Sequence, residues 1–486
     1  TKIMFLLGIT FAAVTMFFLL NHLVGKVGAL LGSILYMYAP YHAIDIYVRG
    51  AVGELYAMAF LPLVLYGIYK IIYNHSIGTS SSGHFKIGAK IFLKGVFENK
   101  QAIVFGVIGF AGVLLSHNIL GMITGYFIFL GLLVYLIYLL ATRKKIFVIC
   151  NLLFVNLLVI GISSFFILPA IFEKDFTRVN ELVTASSNFG NHFIYLDQLW
   201  SSPWGYAGSA PGRFDGMSFM VGKIHLLLGV LSIPMVLILS NRRKIKSTHL
   251  FSQSRLVFIS MLAVLIFSVF FMLEQSKFIW EILPGFAFIQ YPWRFLVYTT
   301  LSFAIMIAIM FALFNRITQI ILGFIFIVIT VGFNSRYFIP KEYLALKSDD
   351  YTDGTNLRFK ISKISDEYLP RDFKIVDSSQ NISWQAMEDS QNLKIIDSTE
   401  NPVKKTFTVD VANSNNIRTN ITYFPGWQVK IDGVNTGIYS TEGKIGFIIP
   451  AGKHRIEYFL GDTPIRLLSN IISILSLFLL IYIIVF

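Results

Sequence analysis

The sequence predicts a polytopic α-helical membrane protein of about eleven spans, with one mainly β domain near the C-terminus and a final transmembrane helix. Composition, recurring apolar runs and the placement of basic residues lead there. Of 486 residues, 55% are hydrophobic and 14% charged, and the mean hydropathy is +0.67. A water-soluble chain of this length needs far more polar surface. The 46 Phe and 23 Tyr suit helices facing lipid and rings at the headgroup level.

Apolar runs long enough to cross a hydrocarbon layer of about 30 Å are read near 3–20, 27–40, 54–73, 101–116, 119–141, 146–170, 219–240, 255–273, 295–314, 317–335 and 466–486. Basic residues cluster in three connections: Lys70 to Lys100, Arg143-Lys144-Lys145, and Arg242-Arg243-Lys244 with Lys246. The alternate connections, Ser116-His117-Asn118, 171–218 and 274–294, are poor in Lys and Arg. Because short basic loops stay cytoplasmic, this places 171–218 and 336–465 outside and Phe486 inside. The expected organisation is therefore a transmembrane domain over 1–335 with outer loop 171–218, an extracytoplasmic mainly β domain over 336–465, and a last helix over 466–486.

The chain starts at Thr1 and turns apolar at Ile3, with no basic segment before that run and no cleavage site after it, so the run is not a signal peptide. The sequence reads as a fragment whose N-terminus lies upstream, which makes Thr1 extracytoplasmic. Cys150, the single cysteine, lies in an apolar run and allows no intrachain disulfide.

Residues 336–466 carry 17 Lys and Arg against 17 Asp and Glu. The net charge of +13 therefore resides in the membrane part, where it reflects topology and attraction to anionic lipid, not nucleic acid. Within the outer segment, Lys405–Val411, Ile417–Phe424, Trp427–Ile431, Lys444–Ile449 and His454–Leu460 are β-branched and aromatic runs. They are separated by turn signals at Asn413 to Asn416, Pro425-Gly426, Asp432-Gly433 and Pro450-Ala451-Gly452. An antiparallel β-sandwich is expected, with the stretch 340–400 adding strands or a loose connection.

Charges beside apolar runs need an account, since ionisable groups at membrane depth are costly. The first group is Tyr41, His42, Asp45, Arg49 and Glu54. Asp45 and Arg49 are four apart and share a helix face; Glu54 opens a span, where a carboxylate suits the positive helix end. One reading is a structural ion pair at headgroup depth. The other is a site where Arg49 binds a lipid phosphate while Asp45 or Glu54 meets a hydroxyl. Ser116-His117-Asn118 is either a polar turn or a place where His117 acts as acid, base or phosphate donor. In Gln290-Tyr291-Pro292-Trp293-Arg294, the rings are ordinary interface anchors, but Arg294 runs against the positive-inside tendency and calls for an anion such as phosphate. Loop 171–218 holds Glu173, Asp175, Trp200, Trp204, Arg213 and Asp215, a mix that suits sugar recognition and an interfacial loop equally. The sequence lacks a Walker A loop, a dinucleotide fingerprint, metal-ligand spacing and a nucleophile elbow. No cofactor is expected and no residues are assigned to a metal.

The run from Tyr36-Met37-Tyr38-Ala39-Pro40-Tyr41-His42 to Arg49-Gly50-Ala51-Val52-Gly53-Glu54 resembles a signature of bacterial membrane proteins labelled 6-pyruvoyl-tetrahydropterin synthase-related. Ser116-His117-Asn118 and Gln290 to Arg294 look like two further marks of that group. Tyr423-Phe424-Pro425-Gly426-Trp427, Asp432-Gly433 and Pro450 to His454 are similar to the related YfhO-like proteins. The resemblance covers most of the chain. It implies a GT-C type architecture: a polytopic glycosyltransferase using a polyprenyl-phosphate sugar on the outer face of the bacterial plasma membrane, with a cell-envelope glycan as acceptor. It also implies an acidic catalytic residue in a first outer loop, expected upstream of Thr1. Arg49, His117 and Arg294 match family motifs. A lipid-linked glycan transporter or flippase, and a non-catalytic scaffold with a glycan-binding β domain, are the alternatives.

Overall fold

At Pro40, the expected end of the span read over 27–40, the chain bends and starts a further helical stretch to Val48, and much of the architecture near the charged residues follows from that bend. The computed structural model describes residues 2–78, 89–142, 147–183, 188–239, 249–345, 353–354, 357, 359, 366–381, 383, 385–387, 389–401 and 404–486. The basic connections Arg143-Lys144-Lys145 and Arg242 to Lys246 lie outside the described residues, as does 79–88.

The helices are α1 (Lys2–Val24), α2 (Lys26–Met37), α3 (Pro40–Ala43), α4 (Val52–Gly78), α5 (Ala89–Glu98), α6 (Lys100–Ser116), α7 (Asn118–Ala141) and α8 (Phe147–Phe172). They continue with α9 (Leu196–Trp200), α10 (Lys223–Leu239), α11 (His249–Met272), α12 (Lys277–Ile282), α13 (Leu296–Phe311), α14 (Arg316–Asn334) and α15 (Pro464–Val485). Each stretch expected to span contains a helix, but 38–39, 219–222 and 312–314 are not helical. Among the described residues, eight helices are long and apolar enough to cross a membrane alone, as in a multi-pass membrane protein. Two further stretches are bent pairs, Lys26–Met37 with Pro40–Val48 at 43° and Phe92–Glu98 with Lys100–Ser116 at 79°, and Lys223–Ile238 is apolar but shorter.

The 43° bend follows from Pro40. It forces Ala39 into extended backbone (φ −62°, ψ 137°) and starts a new helix at its first position. That helix widens into a π-helical turn over Ile44–Val48, a form that recurs at functional sites. Elsewhere small residues set the spacing. A Cβ on Gly67 would lie 2.5 Å from the Gly106 Cα, and one on Gly109 2.6 Å from the Val64 backbone nitrogen, so α4 and α6 pack backbone to backbone. α13 is apolar all round and every one of its residues is buried, against α1, α2, α10 and α11.

The chain divides into two compact units. One comprises Thr1–Ser163, Ser186–Tyr343 and Ile474–Phe486; the other comprises Ser164–Ala185 and Leu344–Ser473. The expected outer loop 171–218 is thus split between them.

Among the described residues the second unit holds eight strands: β1 (Leu393–Glu400), β2 (Lys404–Val411), β3 (Asn415–Thr422), β4 (Trp427–Ile431), β5 (Val434–Thr436), β6 (Tyr439–Thr441), β7 (Lys444–Ile449) and β8 (Gly452–Leu460). They form a five-stranded sheet, β1-β2-β8-β4-β5, and a three-stranded sheet, β3-β7-β6, antiparallel throughout. Phe407 opposes Ile456 and Val409 opposes His454. Period-2 alternation sends Phe407, Val409, Ile456 and Tyr458 from one sheet, and Ile417, Ile445 and Phe447 from the other, into a shared core. Trp427 is half-buried against it. The hairpin β4–β5 turns on Asp432-Gly433 and β6–β7 on Glu442-Gly443, both residues of each pair having positive φ, the geometry that twists two-residue hairpins correctly. In the same unit Arg466, near the start of α15, grips Glu173 through Nη2 at 2.7 Å and Nε at 3.0 Å.

Candidate functional site

The charged residues near the Pro40 break converge on Glu54. The π-turn carries Asp45, and Arg49 follows at its end, so Arg49 Nη1 meets Asp45 Oδ1 at 2.7 Å and Glu54 Oε2 at 2.7 Å. Tyr41 donates a hydrogen bond to Glu54 Oε1. His117 Nε2 lies 3.7 Å from Glu54 Oε2 and Arg294 Nε 3.9 Å from the same oxygen. Asp45 and Glu54 are fully buried, and Arg294 is 7% exposed.

Three helix termini assemble this cluster. Gly53 sits where a Cβ would come within 2.5 Å of the Ser116 carbonyl oxygen, so the start of α4 closes onto the α6–α7 break and brings Glu54 beside His117. His117 also caps α7, its Nδ1 accepting from the Leu120 amide at 3.2 Å. Arg294 arrives on a short 3-10 turn, Pro292–Phe295, that opens α13. Gln290 precedes it with φ 64°, a left-handed conformation unusual for a residue with a side chain.

The electrostatics are close to balanced: two guanidinium groups face two carboxylates. Buried charge of this kind is stable only when paired and hydrogen-bonded. Arg49 is well satisfied, with its guanidinium also 4.6 Å from the Trp293 ring centroid. Arg294 is less so. Its Nη1 donates to the Ile289 carbonyl at 2.5 Å and to Gln290 Oε1 at 3.3 Å, but its buried Nε has no hydrogen bond, nor has Asp45 Oδ2. His42, grouped by sequence with Asp45 and Arg49, is buried with neither ring nitrogen hydrogen-bonded and packs edge-on to Tyr36.

The loop residues do not form one site. Glu173 and Asp175 belong to the unit that carries the sheets, whereas Trp200, Trp204, Arg213 and Asp215 belong to the helical unit. Glu173 is taken up by Arg466 and Thr463, and Asp175 accepts from Asn180 at 2.9 Å. Arg213 pairs with Asp197 at 2.8 Å, and Asp215 accepts from Gln198 at 2.9 Å and from the Ala210 amide at 3.0 Å. Trp204 packs against Tyr337. Trp200 stays largely exposed, with Lys223 Nζ 5.6 Å from its ring. These partners explain the charges as local braces.

Two residues that sequence reasoning missed tie the loop to the cluster. His192 Nδ1 and Ser209 Oγ are 2.8 Å apart, Ser209 Oγ accepts from Trp293 Nε1 at 3.1 Å, and the His192 ring packs on Tyr291. A histidine and a serine in a polar loop carry no spacing signal that would single them out. Among the described residues, no three His, Cys, Asp or Glu side chains come together as a metal-ligand set.

Comparison with protein-family models, with curated proteins and with solved structures finds no match to this chain.

Proposed function

We propose that this protein is a membrane glycosyltransferase that moves a sugar from a polyprenyl-phosphate carrier to a glycan acceptor outside the bacterial cytoplasm. The observation that carries the reading is the convergence of Arg49 and Arg294 on one buried carboxylate, with Arg294 Nε still lacking a hydrogen bond. A polyprenyl phosphate leaves as an anion, and two fixed guanidiniums stabilise that developing charge. In this scheme the phosphate takes the open side of Arg294, and Arg49 is held ready by Asp45 and Glu54. The acceptor hydroxyl attacks the anomeric carbon, the bond from that carbon to the phosphate oxygen breaks, and a carboxylate takes the hydroxyl proton. Asp45, with Oδ2 unpartnered, is the proton acceptor that this chain offers. The motif resemblance supports the same reading, and the alternation of basic connections supports placing the sheet-bearing unit outside.

A transporter of lipid-linked glycans is the second reading. It is favoured by His42, buried in the bundle with both ring nitrogens unpartnered, as on a polar path through a membrane.

Charge reversal separates the two. Arg294→Glu should abolish sugar transfer from a labelled polyprenyl-phosphate donor in membranes, measured per amount of folded protein, and Arg294→Met, which adds no carboxylate beside Glu54, should do the same. Transfer retained by either variant refutes the phosphate-binding role.

A further inference from the structure

A half-open cleft of about 320 Å³ lies beside the segment that ties the loop to the arginine cluster, lined in part by Asn191, Phe193, Tyr195, Gly212, Glu274 and Gln275. Its volume falls at the lower end of the roughly 300–1,000 Å³ typical of small-molecule sites, enough for one or two sugar rings.

The lining selects a class of ligand. Two carboxamides, Asn191 and Gln275, each offer donors and an acceptor, and Glu274 offers acceptors only, the set that hydroxyl groups satisfy in pairs. Gly190 and Gly212 also line the wall, the Gly190 amide being taken by Asn188 Oδ1 at 2.8 Å. Phe193 and Tyr195 add aromatic surface of the kind that packs on the C–H face of a pyranose. Among the described residues, Glu274 is the one charged side chain in the lining and no Lys or Arg joins it there, which disfavours a phosphate or carboxylate.

The walls are fixed in place. After the 3-10 turn Phe189–Asn191 the chain runs through irregular backbone, and Ile194 donates its amide to the Met272 carbonyl at 2.9 Å, joining the two wall segments. The Tyr195 ring is held by the Arg213 guanidinium, 4.0 Å from its centroid. Along the same stretch Asn191, Phe193 and Tyr195 line the cleft, while His192 between them is buried and reaches Ser209. Ser209 holds Trp293, which lies under Arg49. The stretch 190–196 therefore lines the cleft with every residue but His192, and His192 reaches toward the arginine cluster.

We propose that this cleft binds a neutral, hydroxyl-rich glycan, and that it is the acceptor subsite; the acceptor role rests on the glycosyl-transfer reading, the binding does not. The full chain in lipid nanodiscs is tested by saturation-transfer NMR with cellobiose, maltose and N,N′-diacetylchitobiose, and with glucuronic acid as an anionic control. At least one neutral disaccharide should receive saturation. The exposed pair change Glu274→Gln with Gln275→Ala should weaken that binding by about tenfold, whereas Arg294→Glu should leave it intact while transfer is lost. No signal from any neutral disaccharide, equal or stronger binding of glucuronic acid, or binding undiminished in the paired variant overturns the proposal. Transfer that survives Arg294→Glu while the cleft still binds sugar sinks the phosphate role alone.

Discussion

The Arg49 guanidinium lies over the indole of Trp293, 4.6 Å from the ring centroid. This contact joins the π-turn after Pro40 to the start of α13. The same indole donates through Nε1 to Ser209, so one side chain orients a cation and anchors a loop.

Trp293→Phe keeps an aromatic ring but removes the Nε1 donor and part of a buried indole. It should destabilise the protein by roughly 1–3 kcal/mol, one hydrogen bond plus lost packing, and loosen the 190–195 segment. Thermal unfolding in detergent together with hydrogen exchange at His192 and Ile194 reads both effects. Unchanged exchange would remove Trp293 from its anchoring role.

Gly53→Val should cost roughly 1–3 kcal/mol through overpacking, because its Cβ meets the Ser116 carbonyl, a backbone atom that cannot swing away. Gly131→Ala is the matched control in α7, where a Cβ meets nothing within 4 Å; it should be neutral or slightly stabilising. Equal behaviour of the two variants in a thermal shift assay would contradict the packing of α4 on the α6–α7 break.

His454 Nδ1 lies 2.7 Å from Asp432 Oδ2. The hydrogen bond that His454 donates to Asp432 raises the His454 pKa above its usual 6.5. Bonds from the Arg455 amide and from His454 hold Asp432 below its usual value. The histidine contribution is full below about pH 6.5 and fades as pH rises through the raised pKa. The aspartate contribution is full above about pH 3.9 and fades as pH falls through the lowered one. The pair therefore braces the β4–β5 turn best between those limits. In Asp432→Asn the His454 ring signals in NMR should titrate nearer 6.5; a titration unmoved by the change would show that the carboxylate is not the cause.

With Cys150 replaced, a cysteine at Ser379 should react with an impermeant maleimide in intact cells and one at Ser80 should not. The opposite pattern reverses the proposed orientation of the sheet-bearing unit.

Long apolar runs and alternating strands were legible because their signals are periodic and local. Lys444–Ile449 and Trp427–Ile431 appear with the expected bounds. The short strands Val434–Thr436 and Tyr439–Thr441 are too brief to show a period, and pairing creates them. Asp432-Gly433 announced its turn, whereas Glu442-Gly443 did not, since Glu lacks the left-handed tolerance of Asp or Asn. Arg49, His117 and Arg294 stood out singly as charges near apolar runs. Their meeting at Glu54 depends on helix ends distant in sequence. Glu173 shows the opposite limit: a carboxylate beside aromatics looked like a ligand group, but Arg466, far along the chain, accounts for it.

α13 presents no side to lipid, because all of its residues are enclosed. The helices it packs against most, α1, α2, α10 and α11, precede it in the chain, and α14, which follows, adds Phe326 against Phe311. During synthesis most of its berth is built before it emerges from the ribosome, and it fills the centre of the bundle before α14 and α15 are added. Until that moment the nascent protein has an unfilled centre and Glu54 has no Arg294. A ribosome that stops after α11 thus leaves a half-built bundle with a buried carboxylate short of one cation, a product that membrane quality control can distinguish from the finished one.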